Sequence, residues 1–192
     1  MRASSVTVAV AKRGTGPIVA DVGELDQWKH CPRCGAKVEP DGGMVDCGEC
    51  GFRVYASSKP TASGVCLDDE GRILLSRRGI DPFAGKWDLP GGFVDEDEHP
   101  HDCVCRELRE EAGVEIEPLE LLGVWMDRYG PSDGSAAVTL NFYWTARIVE
   151  GTPEPHDDVA ELRWFALDEI VDDDLAFPHT REVLALLRNE HA

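Results

Sequence analysis

The sequence predicts an α/β protein preceded by a small metal-held module. Three observations carry this expectation. Apolar and β-branched runs separated by turn signals recur from Thr61 to Ala166 and read as strands. Two stretches, one ending near Gly113 and one at Thr180 to Glu190, repeat apolar residues at helical spacing. Four cysteines stand in two C-x-x-C-G pairs ahead of both. The 192 residues suit one medium domain with a small appendage. The expected divisions are an extension over 1–26, a cysteine module over 27–58 and an α/β domain over 59–192.

Residues 1 to 26 read as an edge strand or a loosely held extension. Val6 to Ala11 is apolar but too short for a secretory signal, and no run is long enough to span a bilayer. The chain is expected in the cytoplasm. A net charge of −18 argues against unspecific binding to DNA, RNA or anionic membranes. It leaves room for a phosphorylated small molecule, because a bound divalent cation inverts the local field.

Cys31-Pro-Arg-Cys34-Gly and Cys47-Gly-Glu-Cys50-Gly each bring two thiols to one side of a tight turn. Four thiolates from Cys31, Cys34, Cys47 and Cys50 make a closed tetrahedral Zn²⁺ site of the structural kind. Two disulfides or a redox pair are the rivals. A cytosolic setting disfavours disulfides, and the matched knuckles favour a metal. Ala36 to Asp46, with Asp41-Gly42-Gly43 in its middle, reads as a hairpin, and the whole resembles a zinc ribbon.

Thr61 to Leu67 and Arg72 to Arg78 read as strands joined by the turn Asp68 to Gly71, together a hairpin. Lys86 to Leu89 is a short strand. Leu119 to Tyr129 and Ala136 to Val149 are longer strands joined by the polar loop Gly130 to Ser135. Glu161 to Ala166 is another strand, with a short helix near Leu167 to Val171. The C-terminal helix turns Val183, Leu184 and Leu187 inward. Cys66 is expected in the core, Cys105 on the sheet side of the first helix and Cys103 in its acidic arc.

The first helix carries the chemistry. His99-Pro100 is a start signal and Gly113 a stop. Val104, Leu108 and Ala112 share a face that would pack on a sheet. Glu107, Glu110 and Glu111 share another, where like charges repel by a few tenths of a kcal/mol per pair, about 0.2–0.5. Three carboxylates facing one way call for a cation, and their hard oxygens suit Mg²⁺ or Mn²⁺. The bland alternative is a solvated acidic face. Pro90-Gly91-Gly92 before the helix and Arg106 within it favour the metal.

From Gly92 to Val114 the chain fits G-x5-E-x7-R-E-U-x-E-E-x-G-U (U apolar) at Gly92, Glu98, Arg106, Glu107, Leu108, Glu110, Glu111, Gly113 and Val114. This resembles the signature of the Nudix hydrolases, and the resemblance runs from about Pro60 to the C-terminus. It implies an α/β/α sandwich with a mixed sheet. It implies that Glu107, Glu110, Glu111 and the carbonyl of Gly91 hold the metal, that Arg106 orients the carboxylates and that Glu98 supports them. It further implies cleavage of a nucleoside diphosphate linked to another moiety by water attack on phosphorus. The base in this family is variable. Here the loop from Glu150 to Glu161 offers Glu154, Asp157 and Asp158, with Glu154 favoured. For any one taken singly, a solvent-facing loop charge is the stronger reading. Arg77, Arg78 and Arg128 are candidate phosphate ligands, and Trp125 is a candidate for stacking on a base, as are Tyr129, Phe142 and Trp144.

A ribbon followed by this box is similar to NADH pyrophosphatases, which also remove NAD caps from RNA. The chain departs from them in lacking a Ser-Gln-Pro-Trp motif and in having 30 residues before Cys31. Pro131, the seventeenth residue after Val114, is near the proline typical of ADP-ribose pyrophosphatases. The expected partner is a small nucleotide, with ADP-ribose-like nucleotide sugars or dinucleotides as the substrate class. A homodimer is compatible with this reading. A nucleotide sensor that binds without cleaving is the alternative of another class; the intact box and the negative charge disfavour it.

Overall fold

The structure is a computed structural model that describes residues 9–10, 23–130 and 137–190. The described residues divide into two compact units. One comprises 9–10, 59–127 and 139–190, and the other 23–58 with 128–130 and 137–138. No helix among the described residues is long and apolar enough to cross a membrane.

The larger unit is built on a mixed sheet. Its order is β1 (Ala9–Val10), β8 (Glu115–Tyr129), β9 (Ala137–Glu150), β4 (Lys59–Cys66) and β7 (Gly91–Phe93). β1 runs parallel to β8 at Gly123 and Val124, so an edge strand does occur within the N-terminal segment. β4 is parallel to β9 along its full length and antiparallel to β7, with Ser63 opposite Gly91 and Thr61 opposite Phe93. A second, antiparallel sheet orders β10 (Val159–Phe165), β5 (Ile73–Arg78) and β6 (Trp87–Asp88).

Alternation along the strands splits the interior in two. From β4, Val65 joins one core while Ala62 and Cys66 join the other; β9 divides Tyr143 from Trp144 and Ala146 in the same way. The first core takes Val183, Leu184 and Leu187 from α2 (Pro178–Glu190). The second takes Val104, Leu108 and Ala112 from α1 (Pro100–Ala112). This is the expected α/β/α sandwich, a helix on each side of the strands. The second face of β5 is not solvated as alternation would suggest. Ile73 and Leu75 enter one core and Leu74 the other, so the strand is buried on both sides.

Leu108 is fully buried between helix and sheet. Leu108→Ala is expected to destabilise the domain by about 2–5 kcal/mol, the usual range for a cavity in a packed core. A denaturant titration followed by far-UV circular dichroism reads it directly. A loss under about 0.5 kcal/mol would show that α1 is not anchored through this face.

Two sequence expectations need correction. β4 and β5 do not form a hairpin. The turn at Asp68 to Gly71 exists, but beyond one bridge between Leu67 and Ile73 the strands enter different sheets. Leu167 to Val171 is a turn, closed by Glu169 N–H on Ala166 O; the helical turn follows at Asp172–Asp174 and is 3₁₀. Cys103 lies beside Arg106 in the acidic arc and Cys105 packs against the helix–sheet core, as expected, but they differ in depth. Cys103 is fully buried and Cys105 only half so, because α1 packs on β7 as well as on β4, and the Cys103 sulfur sits 3.5 Å from Phe93 O. The loop expected over Gly130 to Ser135 lies, beyond Gly130, outside the described residues, as does Pro131.

In the smaller unit the two knuckles repeat each other. Gly35 N–H donates to Cys31 O and Gly51 N–H to Cys47 O, both at 2.9 Å. Cys31 N–H then pairs with Ala36 O and Cys47 N–H with Phe52 O. The ladder here is β2 (Met44–Asp46) with β3 (Arg53–Tyr55), which spans the second knuckle. The expected hairpin over Ala36 to Asp46 is reduced to a tight turn, in which Asp41 and Met44 exchange backbone hydrogen bonds.

Candidate active site

The box helix is fixed at both ends. His99 caps its start, its ring accepting from His101 N–H at 3.2 Å, with Pro100 in the first turn. Gly113 closes it at φ 66°, where its N–H reaches back to Arg109 O and Leu108 O. The glycine is needed there because a left-handed residue ends the helix without a Cβ penalty.

Arg106 gathers the acidic face. Its guanidinium grips Glu98 with two bonds of 2.9 and 2.8 Å. It also donates to Glu107 at 2.7 Å, to Glu110 at 3.0 Å and to the carbonyl of Phe93 at 3.0 Å. The hydrogen bonds from Arg106 hold the Glu98 carboxyl down to about 2. In return, the hydrogen bond to Glu98 raises Arg106 above its ordinary range and keeps it charged. Glu98 also accepts from Asp95 N–H at 3.0 Å, which ties the turn before the helix to the same arginine.

Glu111 lies on the other side of the face. Its carboxylate accepts from Gly91 N–H at 2.9 Å. Burial pushes its pKa well up, and the charges of Glu107, Asp158 and Asp88 push the same way. Glu107 is raised as well, chiefly by burial and against the pull of Arg106. The two glycines before the helix allow this approach. A Cβ on Gly92 would lie 2.6 Å from the Glu107 carboxylate, so a side chain there would displace the acid. Gly91 contributes its N–H to the box and sits opposite Ser63 in the sheet.

Among the described residues the oxygens of Glu107, Glu110 and Glu111 do not all close to within 4.8 Å of one another; the cysteines do. Arg106 draws Glu107 and Glu110 one way while Gly91 draws Glu111 the other. The residues still fit a divalent cation. Two inward-turned carboxylates are destabilised by burial and by each other, and a cation reverses both effects.

The loop from Gly151 to Asp158 returns to this helix. Glu154 N–H donates to Ala112 O and His156 N–H to Glu111 O. Glu154 itself is exposed and meets the helix through its backbone. Asp158 is the loop acid whose charge reaches Glu111.

The other candidates are scattered. Trp125 is a correction: it is 4% exposed, sits edge-on to Tyr143 at 5.5 Å and belongs to the core, so no ring face is free for a base. Its place on β8 points it inward, which its residue type could not show. Arg77 donates to Gly85 O at 3.0 Å and pairs with Glu161, beside a recess of about 400 Å³ lined also by Lys86, Trp87 and Asp174. Arg78 donates to Pro82 O at 2.7 Å and lies over the Phe177 ring. Both arginines thus brace the loop after β5. Arg128 belongs to the smaller unit.

Sequence reasoning missed a buried polar group beneath the Pro90-Gly91-Gly92 turn. Asp88 accepts from Thr180 Oγ1 at 2.7 Å and from Leu89 N–H at 2.8 Å, and burial raises its pKa. Nearby, His179 and Asp127 pair at 2.6 Å. Only the charge on a short apolar strand hinted at Asp88; nothing marked Thr180 or His179.

In the smaller unit the sulfurs of Cys31 and Cys50 lie 3.7 Å apart and those of Cys34 and Cys47 3.6 Å. A disulfide is about 2.05 Å long. A tetrahedron with metal–sulfur bonds of about 2.3 Å has edges of about 3.8 Å. The four thiols therefore match a zinc tetrahedron and are free of disulfides. Burial opposes ionisation of Cys31, but backbone hydrogen bonds at Arg33 and Cys34 outweigh it and bring the thiol down to about 7.

Fold and box together define a hydrolase of phosphoric anhydrides. The NUDIX domain model matches residues 57–187, and the chain belongs to the Nudix family, as a Nudix hydrolase of the pyrophosphohydrolase class. It is similar to the ADP-ribose pyrophosphatase of Methanocaldococcus jannaschii, 28% identical over 71% of this chain and 78% of that protein. It is also similar to the NAD-capped RNA hydrolase NudC of Pseudomonas aeruginosa, 30% identical over 74% of this chain and 49% of that protein. The chain spans about half the length of that second relative. A Nudix hydrolase from Nitrosomonas europaea superimposes with a TM-score of 0.69 at 27% identity, over 86% of this chain and 94% of that one. Nudix enzymes typically use a divalent metal ion.

Proposed function

We propose that the chain hydrolyses the pyrophosphate bond of a nucleoside diphosphate joined to a second moiety, with an ADP-ribose-like nucleotide sugar or a dinucleotide as substrate. The observation that carries this reading is the set of inward-facing carboxylates, Glu107 and Glu111 with Glu110, marshalled by one arginine beside a glycine turn. The names of the two relatives support the substrate class. The 1–26, 27–58 and 59–192 divisions go with it, the module over 27–58 having a structural role.

Glu107, Glu110, Glu111 and the Gly91 backbone would hold Mg²⁺ or Mn²⁺. The ion supplies charge neutralisation at the phosphate oxygens and lowers the pKa of water. Arg106 keeps the carboxylates oriented. A box carboxylate committed to a cation makes a poor base. Asp158 is then the group that takes the proton from the attacking water. General bases of this kind contribute about 10²–10⁴-fold. Asp158→Asn is expected to lower kcat by about 100-fold while leaving KM within a few-fold, and Glu154→Gln to change neither. Steady-state kinetics of the two variants decide between them; unchanged kcat in Asp158→Asn removes Asp158 from the role.

A substrate panel tests the wider reading. ADP-ribose, NADH, diadenosine polyphosphates and nucleoside triphosphates are assayed with Mg²⁺ and Mn²⁺ for products. The expected result is a nucleoside monophosphate and a phosphorylated second moiety, formed faster than any product from a triphosphate. Faster triphosphate cleavage would make this a pool-cleaning enzyme, and tight binding without turnover a sensor.

A further inference from the structure

A helix leaves its last carbonyls without partners of its own. In α1 those groups are used to seat the loop that carries Asp158. Ala112 O accepts from Glu154 N–H at 3.0 Å and Glu111 O from His156 N–H at 2.9 Å. One of the two anchor points is thus the backbone of Glu111 itself. Gly151 makes this approach feasible. It stands at φ 93°, and a Cβ on it would lie 2.8 Å from Gly113 O and 3.3 Å from Val114 Cα. His156 adds a lateral contact, its ring 3.0 Å from where a Gly113 Cβ would be.

The far end of the loop is held from another element. Gly79, just after β5, donates its N–H to Asp158 O at 2.7 Å. A Cβ on Gly79 would collide with that same oxygen. Val159 N–H closes the intervening turn on His156 O at 3.0 Å. These backbone bonds place Asp158 between the box helix and β5 without using its side chain.

We propose that Gly79 and Gly151 are positioning residues that seat the backbone bearing Asp158 between β5 and the end of α1, one from each side. The proposal rests on the reading of Asp158 as the proton acceptor. Both glycines act by what they lack. A methyl group at either position must push the loop outward, and a shift of about 1 Å in a placed group can lower a rate by about 100-fold.

Gly79→Ala, Gly151→Ala and Asp158→Asn are made singly, and each glycine change is also combined with Asp158→Asn. The glycine variants are expected to lower kcat by about 10- to 100-fold with KM within about twofold. In the Asp158→Asn background they should add nearly nothing. Wild-type kcat in both glycine variants, with Asp158→Asn impaired, would overturn the positioning role and leave the base reading standing. An Asp158→Asn enzyme at wild-type rate would instead overturn the base reading, and this inference with it. Equal losses in the two backgrounds would mean that the glycines act through general folding, which also overturns the proposal. Circular dichroism and thermal melts confirm that each variant is folded. Should Gly79→Ala fail to fold, Gly151→Ala alone decides by the same criteria.

Discussion

Glu111→Gln is expected to lower turnover by at least about 100-fold, the scale on which loss of one preorganised electrostatic group acts. The fold should survive it, because an amide has the same shape and can still accept from Gly91 N–H. Stability in EDTA should hold or rise. Burial and the charges of Glu107, Asp158 and Asp88 raise the Glu111 pKa on folding. Above the ordinary carboxylate range its ionised form therefore opposes folding, and the neutral amide removes that opposition. Activity and metal-free stability should then move in opposite directions, which general damage would not produce. Glu110→Gln should share the kinetic loss but leave stability nearly unchanged, since its exposed pair with Arg106 contributes little. Kinetics with Mg²⁺ or Mn²⁺ and thermal melts in EDTA read both. Wild-type turnover in both variants, or full wild-type activity in EDTA, would remove the metal mechanism.

The box was legible because each of its features follows from local chemistry. A capped start, a left-handed stop and three acids on one face are all fixed by spacing along a single helix. What the acids do to one another was not legible. The space beside Gly92 is filled by the Glu107 carboxylate, which no spacing along the chain announces. The seating of the loop that bears Glu154 and Asp158 was equally hidden. It depends on Gly79 and on the carbonyls of Glu111 and Ala112, groups distant in sequence or carrying no side-chain signal.

The strands show the same division. Their existence and approximate bounds followed from apolar runs and turn residues. Their pairing did not. A turn at Asp68 to Gly71 makes a hairpin the natural expectation, but β4 finds its partners in β9 and β7. Parallel pairing with β9 is a long-range event, and local patterns carry no trace of it. Trp125 failed for a related reason. It lies on β8, a strand with two packed sides, where simple periodicity recognises one.

The cysteine module was legible from spacing alone, and it gives the second large expected effect. Wild-type protein should carry about one zinc per chain, and Cys47→Ser should lose it along with the folded structure of residues 27–58. The core available to this unit is small. Among the described residues Leu25, Cys31, Val38, Val45 and Cys47 are its buried apolar residues, and two of these five are proposed zinc ligands. So few side chains cannot hold the chain against its conformational entropy. A closed four-thiolate zinc site supplies on the order of 10–16 kcal/mol of apparent binding free energy, which becomes folding free energy when the unbound segment has no structure. Replacing one thiolate by a hydroxyl removes most of it. The carboxylates proposed to hold the catalytic metal stand in the other unit, so kcat should fall far less than stability. Metal analysis counts the zinc, thiol titration shows whether four cysteines become reactive in the variant, and Trp28, packed against this small core, reports unfolding by fluorescence. Wild-type protein with four reactive thiols and no metal would show that the tetrahedron of sulfurs has no ion to bind. A variant that keeps its stability but loses turnover as completely as Glu111→Gln would place the cysteines in the chemistry instead of the scaffold.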